Sequence, residues 1–308
     1  PTVISPNPEE PAALAMAVEK AKETDAELVM ASDPDADRVG AAVKNNEGEW
    51  VLLNGNQTAL MFVYYLITRW KELGKINGKE YIVKTIVTTE TIKTIAERNG
   101  VEMYDVYTGF KWIANVMREN EGKKNYIGGG EESYGFLCED FVRDKDAVSA
   151  CVILAEIAAW AKDQGLSLYQ LLQKIYVEYG FSKEKGISVV KKGKSGAEEI
   201  EAMMKKFREN PLTEIAGSKV TYFYDYSTLK GKDYAENETV TLDMPTTSNV
   251  LQYFTEDNTK VSIRPSGTEP KIKFYCEVHS KVKSIDELPE AEKAAEEKIN
   301  QIKASLGI

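Results

Sequence analysis

Along the chain the spacing of apolar and polar positions changes character, and the changes mark out three blocks. From Glu9 to about Asn54, "PEEPAALAMAVEKAKETDA" repeats at helical spacing behind Pro11. The apolar run "ELVMAS" then reads as a buried strand that ends at an acidic loop, with a second strand beyond it. From about Gln57 to Gly180 strands and helices alternate. "EYIVKTIV", "VEMYDVY" and "KNYIGG" read as strands, and "TETIKTIAERNG", stopped by Gly100, and "GFKWIANVMREN" read as helices. The helix "DAVSACVILAEIAAWAKD" closes the block and is apolar on nearly every face, which predicts burial between layers. After Gly180 comes a polar helix, "GKSGAEEIEAMMKKFREN". Five strand-like runs follow, "KVTYFYDYS", "ETVTLDM", "NVLQYFTED", "TKVSIRP" and "KIKFYCEVHS", and an amphipathic helix, "SIDELPEAEKAAEEKINQIKASLG", ends the chain. The pattern predicts an α/β portion followed by a separate α+β domain.

Composition narrows the function classes. The 308 residues carry 39 Lys plus Arg against 49 Asp plus Glu, a formal charge of −10 that repels nucleic acid at long range. Any phosphate site must then be a local basic pocket. Cys138, Cys151 and Cys276 are odd in number and widely spaced in apolar or mixed stretches, as expected of reduced thiols in a cytoplasmic protein. No uncharged apolar run approaches the ~20 residues of a membrane span, and no signal-peptide pattern opens the chain, so a soluble protein without a membrane partner is expected. Pro1 stands where a methionine would, which points to a processed or truncated chain.

Four motifs carry candidate chemistry. In "ASDPDADRVG", Asp33, Asp35 and Asp37 alternate after a buried strand; on an extended segment they project to one side and can close on a hard divalent cation. A calcium loop starting at Asp33 would need glycine sixth and glutamate twelfth, where Arg38 and Lys44 stand, so magnesium fits better. Arg38 can balance the carboxylates or grip phosphate oxygens. In "GGGEESYG", three glycines allow close approach of backbone to a ligand, and Glu131 and Ser133 can grasp neighbouring hydroxyls. "RPSGTEP" joins two strands and offers the Arg264 fork, the Ser266 and Thr268 hydroxyls and the Gly267 backbone as a phosphate cradle. "YTGFK" is a strand-to-helix junction where Thr108, Gly109 and the first helical turn suit an anion or a sugar oxygen, with Lys111 nearby. Lys145 in "RDKDA" is a similar cation. The single histidine, His279, falls near the end of the last strand, so histidine-centred acid/base chemistry has little support.

Taken together and in this order, "DPDADR", "TGFK", "GGEESYG" and "RPSGTEP" resemble the metal, domain-three, sugar-binding and phosphate-binding loops of the α-D-phosphohexomutase family, the phosphoglucomutases and phosphomannomutases. "VRDKDAV" and "NPEEPAAL" match its pattern too, so the resemblance spans nearly the whole chain. It implies residues 1–54 as the last part of domain two with the metal loop. It likewise implies 55–180 as the sugar-binding, mixed-sheet α/β domain three, and 181–308 as a phosphate-binding α+β domain four resembling the TATA-box-binding protein. It further implies Mg²⁺ on Asp33, Asp35 and Asp37, Arg38 at the phosphate, and Lys111 and Lys145 as catalytic cations. Thr108, Gly109, Glu131 and Ser133 are implied at the sugar, and Arg264, Ser266, Gly267 and Thr268 at the non-transferred phosphate. The activity implied is interconversion of 1-phospho and 6-phospho hexoses, glucose phosphate foremost, through a phosphoserine enzyme and a sugar 1,6-bisphosphate. The family's phosphoserine stretch, resembling T-A-S-H-N-P, does not occur among these residues; Ser5 in "ISPNP" belongs to a different family segment. A chain without that donor is expected to lack mutase turnover and to bind Mg²⁺ weakly. Two other readings are a haloacid-dehalogenase-type phosphatase, with Asp33 attacking and Asp35 as acid, and a non-catalytic sugar-phosphate-binding module. Against the phosphatase, that family prefers threonine or valine where Asp37 stands, and the later loops would go unused.

Overall fold

The computed structural model describes residues 3–191, 193–267 and 269–308. They form two compact units, Pro1–Tyr179 and Gly180–Ile308. Among the described residues no helix is long and apolar enough to cross a membrane.

The first unit opens with α1 (Pro11–Glu23), β1 (Leu28–Ser32), β2 (Val39–Lys44) and β3 (Trp50–Leu53). Pro11 starts α1 where its missing N–H costs nothing. The three strands make an antiparallel sheet in the order β1-β2-β3. Leu14 and Ala21 of α1 pack on Val29 and Ala42 of that sheet.

There follow α2 (Gly55–Glu72), β4 (Glu80–Thr85), α3 (Thr91–Arg98), β5 (Glu102–Val106), α4 (Phe110–Asn120), β6 (Asn125–Gly130), β7 (Phe136–Cys138), α5 (Ala147–Asp163) and α6 (Leu168–Tyr179). The sheet order is β5-β4-β6-β7, with β4 parallel to both β5 and β6 and β7 antiparallel to β6. This is the mixed sheet that the family resemblance implies. Phe110, Ile113 and Met117 of α4 meet Tyr81, Tyr126 and Leu137. From α2, Phe62 stacks on Phe136 at 4.5 Å between ring centroids. Three parallel strands thus end side by side, and in such sheets the loops beyond the carboxyl ends form the binding crevice.

The buried helix is α2 and not α5. All but one of the residues from Gly55 to Ile67 are buried, whereas Val148 and Val152 of α5 are 66% and 63% exposed. Apolar composition alone could not rank the two, because α5 turns only its Ala147, Ala150, Leu154, Ile157 and Ala161 stripe inward. Its small alanines make the whole helix look apolar while filling little volume. The helix α2 went unassigned because its tyrosines and threonines interrupt the apolar run; Asn54 and Gln57 close its start with a reciprocal capping box.

The second unit comprises β8 (Phe181–Val190), α7 (Gly193–Glu209), β9 (Glu214–Ile215), β10 (Ser218–Asp225), β11 (Lys230–Asp233), β12 (Glu238–Thr241), β13 (Leu251–Thr255), β14 (Lys260–Pro265), β15 (Lys271–Ser280) and α8 (Leu288–Leu306). Its antiparallel strands run β12-β11-β10-β13-β14-β15-β8, with β9 beside β10. Both helices contact the β15 region, where Phe207 of α7 meets Phe274 edge-on. The five predicted strands are present, and three more join them. Of these, β8 escaped the pattern because its lysines and glutamates hide the alternation, although it pairs with all ten residues of β15.

Two internal features generate predictions. Lys84 is 1% exposed at the end of β4, with its ammonium 2.6 Å from Asp105 and 2.9 Å from Glu90. Removing one partner of a buried ion pair leaves the other charge uncompensated. Lys84→Ala should therefore lower the stability of the first unit by about 3 kcal/mol in urea unfolding, the low end of that range because both carboxylates are one-third exposed. At the start of α2, a Cβ on Gly55 would lie 2.0 Å from the Glu132 carbonyl oxygen and 2.7 Å from the Tyr134 nitrogen. Backbone cannot move aside as a side-chain tip can. Gly55→Ala should cost about 2 kcal/mol in the same assay, and a loss below about 0.5 kcal/mol would show that the contact is not tight.

Candidate sugar-phosphate and metal site

The Asp33–Arg38 loop follows β1 and is a tight turn, not the extended segment expected from alternate spacing. Ala36 takes a left-handed conformation (φ 56°), and its N–H donates to the Asp33 carbonyl at 3.0 Å. Folding back in this way brings carboxylate oxygens of Asp33, Asp35 and Asp37 within 4.8 Å of one another. The convergence that strand geometry was expected to supply comes from the turn. Three hard oxygen donors at this separation fit a small divalent cation, which takes carboxylate oxygens and keeps further positions for water or phosphate.

Asp33 is 3% exposed and fully engaged. Its Oδ1 accepts from the backbone N–H groups of Asp37 and Arg38, both at 3.0 Å, and its Oδ2 accepts from Arg38 Nε at 2.6 Å. Burial pushes this carboxyl upward, but the Arg38 N–H, the guanidinium and the Asp37 N–H outweigh it and hold the group well below the usual carboxylate range. Arg38 in turn is gripped from the N-terminal segment, where Asn7 Oδ1 lies 3.2 Å and Glu9 Oε1 3.3 Å from its Nη1. Burial alone would lower the guanidinium's affinity for its proton; Asp33 and Glu9 raise it. Asn7 and Glu9 belong to "NPEEPAAL", a segment noted for its pattern but without a role. Only their contact with Arg38 supplies one.

Lys145 completes this side. Its ammonium sits 2.5 Å from Asp37 Oδ2, just before α5. Burial would lower its proton affinity, but the hydrogen bond and charge of Asp37 and the charge of Glu131 raise it. A surface lysine is thereby drawn into the acidic loop.

The loop after β6 lies against the Asp33–Arg38 turn. Val39 N–H donates to the Tyr134 carbonyl at 3.0 Å, and Arg38 forms a bridge with Gly135. Tyr134 is left-handed (φ 67°), and burial pushes its phenol up to about 12. Glu131 is buried, and its Oε1 accepts the Gly109 N–H at 2.7 Å, which ties the β6 loop to the β5 loop beside Thr108. Ser133 is half-buried in the same turn. The three glycines before it are closely enclosed by protein atoms. They lie inside β6, where a Cβ on Gly129 would come 2.3 Å from the Val83 carbonyl oxygen, so they allow the sheet itself to pack. Lys111 stands apart: it is exposed on α4, its ammonium 5.1 Å from the Trp112 ring.

In the second unit, "RPSGTEP" connects β14 and β15. Ser266 N–H donates to the Lys271 carbonyl at 2.7 Å, and Glu269 N–H donates to Ser266 Oγ at 3.3 Å. Arg264 is half-buried at the strand end, opposite Lys273. Gly267 lies in this connection, and Thr268 falls outside the described residues. His279 is half-buried, with Nδ1 3.1 Å from Ser182 Oγ.

Known proteins share this organisation. The models for phosphoglucomutase/phosphomannomutase domain II, domain III and C-terminal domain match residues 1–48, 54–179 and 188–295. A phosphoglucomutase of Staphylococcus aureus is 38% identical over 274 residues, 89% of this chain and 49% of its own length. One from Staphylococcus haemolyticus is 34% identical over 278 residues, 90% of this chain and 50% of its own length. The chain spans about half the length of the curated relatives it matches. Two solved structures share the fold. A phosphoglucomutase/phosphomannomutase family protein of Burkholderia thailandensis has TM-score 0.61 and 19% identity, covering 98% of this chain and 52% of that one. The phosphoglucomutase parafusin of Paramecium has TM-score 0.56 and 17% identity, covering 90% and 45%. With three successive domain models matched in order across nearly all of its length, the chain belongs to the phosphoglucomutase/phosphomannomutase family.

Proposed function

We propose that this chain supplies the metal-binding, sugar-binding and phosphate-binding parts of a phosphohexomutase that interconverts 1-phospho and 6-phospho hexoses, with glucose phosphate as substrate. In this reading residues 1–54, 55–180 and 181–308 are the end of domain two, domain three and domain four. The observation that carries it is the junction of the Asp33–Arg38 turn with the Glu131–Gly135 loop and Lys145, a carboxylate cluster and a cation held beside a sugar-type recognition loop. The names of the matched relatives support the activity, three free cysteines suit a cytoplasmic location, and magnesium suits the donor set.

Asp33, Asp35 and Asp37 would hold Mg²⁺, whose positive charge offsets charge on a transferring phosphoryl group. Arg38, oriented by Asp33, Asn7 and Glu9, presents its guanidinium to the same phosphoryl oxygens. Lys145 adds a second cation beside Asp37. Glu131 and Ser133 take sugar hydroxyls and orient the ring, and Thr108 and the Gly109 backbone border them. Arg264, Ser266, Gly267 and Thr268 hold the phosphate that is not transferred. Lys111, exposed on α4, is the candidate to carry a proton between sugar hydroxyl and solvent. Against the phosphatase reading, Asp37 stands where that family prefers threonine or valine, and the Glu131–Gly135 and Arg264–Pro270 loops would have no role in it.

No residue in the chain matches the phosphoserine donor, so the 308 residues alone should bind glucose 1-phosphate without turning it over. Phosphorus NMR with added glucose 1,6-bisphosphate checks this, and conversion at the rate of a complete enzyme would refute it. Mg²⁺ affinity should be weaker than micromolar, because three carboxylates act without the phosphoserine oxygen and two of them already bind Arg38 and Lys145. Calorimetry reads that affinity directly. Asp35→Asn should abolish the binding heat while leaving the unfolding midpoint in urea unchanged, since the exposed Asp35 side chain supports no other contact of the turn among the described residues.

A further inference from the structure

We propose that Glu132, between the two sugar-facing residues of the β6 loop, is a positioning residue that fixes this loop for sugar recognition by anchoring it to the carboxyl end of β4. The proposal rests on the phosphosugar reading above. Glu132 Oε2 accepts a hydrogen bond from Thr85 Oγ1 at 3.2 Å, and Thr85 Oγ1 lies 2.8 Å from Thr88 Oγ1. A carboxylate can only accept, so the Thr85 proton is committed to Glu132 and the Thr88 hydroxyl must donate to Thr85. Two hydroxyls therefore form a directed chain that ends on a charge, the stronger class of hydrogen bond.

The base of this chain is rigid. Thr85 and Thr88 are both 0% exposed. The turn that bears them is pinned by the Lys84 ammonium, 3.4 Å from each of the Thr85 and Thr88 carbonyl oxygens and itself held by Asp105 and Glu90. Thr89 N–H donates to Asn56 Oδ1 at 3.0 Å, which ties the same turn to the start of α2, where Gly55 presses on the Glu132 carbonyl. The loop above is different in kind: Glu132, Ser133 and Tyr134 are all half-buried, and the backbone is left-handed at Tyr134. Glu131 and Ser133 flank the anchored residue, so their distance from the strand ends follows from where Glu132 is held. The buried Lys84–threonine cluster, which the mechanism does not use, thereby acquires a task.

The test uses the 308-residue chain with Glu132→Ala, Glu132→Gln, Thr85→Val and the double variant E132A/T85V. Hydrogen exchange of the Glu131–Gly135 amides should speed up about tenfold or more in E132A and T85V, with β4 still protected, and remain near the parent in E132Q, which keeps an acceptor oxygen. Calorimetric affinity for glucose 1-phosphate should fall at least about fivefold in the same two variants, and the losses should be less than additive in the double variant, because both changes remove the Thr85–Glu132 bond. Unchanged loop exchange in E132A, or losses that add in the double variant, would overturn the anchor. Failure of the unmutated chain to bind glucose 1-phosphate would instead overturn the phosphosugar reading and the recognition half of this proposal, while the exchange data decide the anchoring half on their own.

Discussion

Burial of the Asp33 carboxylate is the constraint around which the first unit's site is organised. A charge removed from water must be satisfied where it sits, and three donors converge on this one from a turn of only six residues. Meeting that requirement forces the turn, and the turn gathers Asp35 and Asp37 beside it. It also fixes the direction of Arg38, which then meets Asn7 and Glu9 on one side and the Gly135 backbone on the other. One buried charge thus sets the positions of the candidate metal ligands, the candidate phosphate cation and the segment ahead of α1.

A second arrangement, in the α/β sheet, supports the first. Parallel pairing puts the loops after β4, β5 and β6 in a row. Backbone and carboxylate hydrogen bonds then stitch that row together: Gly109 to Glu131, Thr85 to Glu132, and Val39 to Tyr134. The turn after β4 is buried, whereas the loops after β5 and β6 are short and partly exposed and would not hold their shape alone. Their order comes from buried partners beneath them, the Lys84 cluster and the start of α2.

Much of this was legible in the residues. Periodicity located α1, β1, the strands and helices from Glu80 to Gly130, and α7 and α8, because each buries one regular face. The order of four motifs identified the family, since that combination is far more specific than any one member. What escaped had physical causes. Strand β8 is masked by its charged outward face, and α2 by tyrosines and threonines that are buried all the same. The exposed stripe of α5 could not be read because alanine is compatible with core and surface alike. The glycines of "GGG" read as room for a ligand, yet Leu66 and Phe136 crowd Gly128, the Val83 backbone crowds Gly129, and Phe136 crowds Gly130.

By itself the sequence determined which residue types are available: three spaced aspartates, a neighbouring arginine, an acid–serine pair and an arginine-led strand connection. Composition and local spacing suffice for that, because they are properties of the chain before it folds. Only the tertiary structure decided which of these act on one another. Lys145 reaches Asp37 from more than a hundred residues away, Glu9 and Asn7 reach Arg38, and Glu132 turns to Thr85 instead of to solvent. Those pairings depend on where strands end and how closely backbones approach, which packing of the whole unit sets and no local pattern encodes.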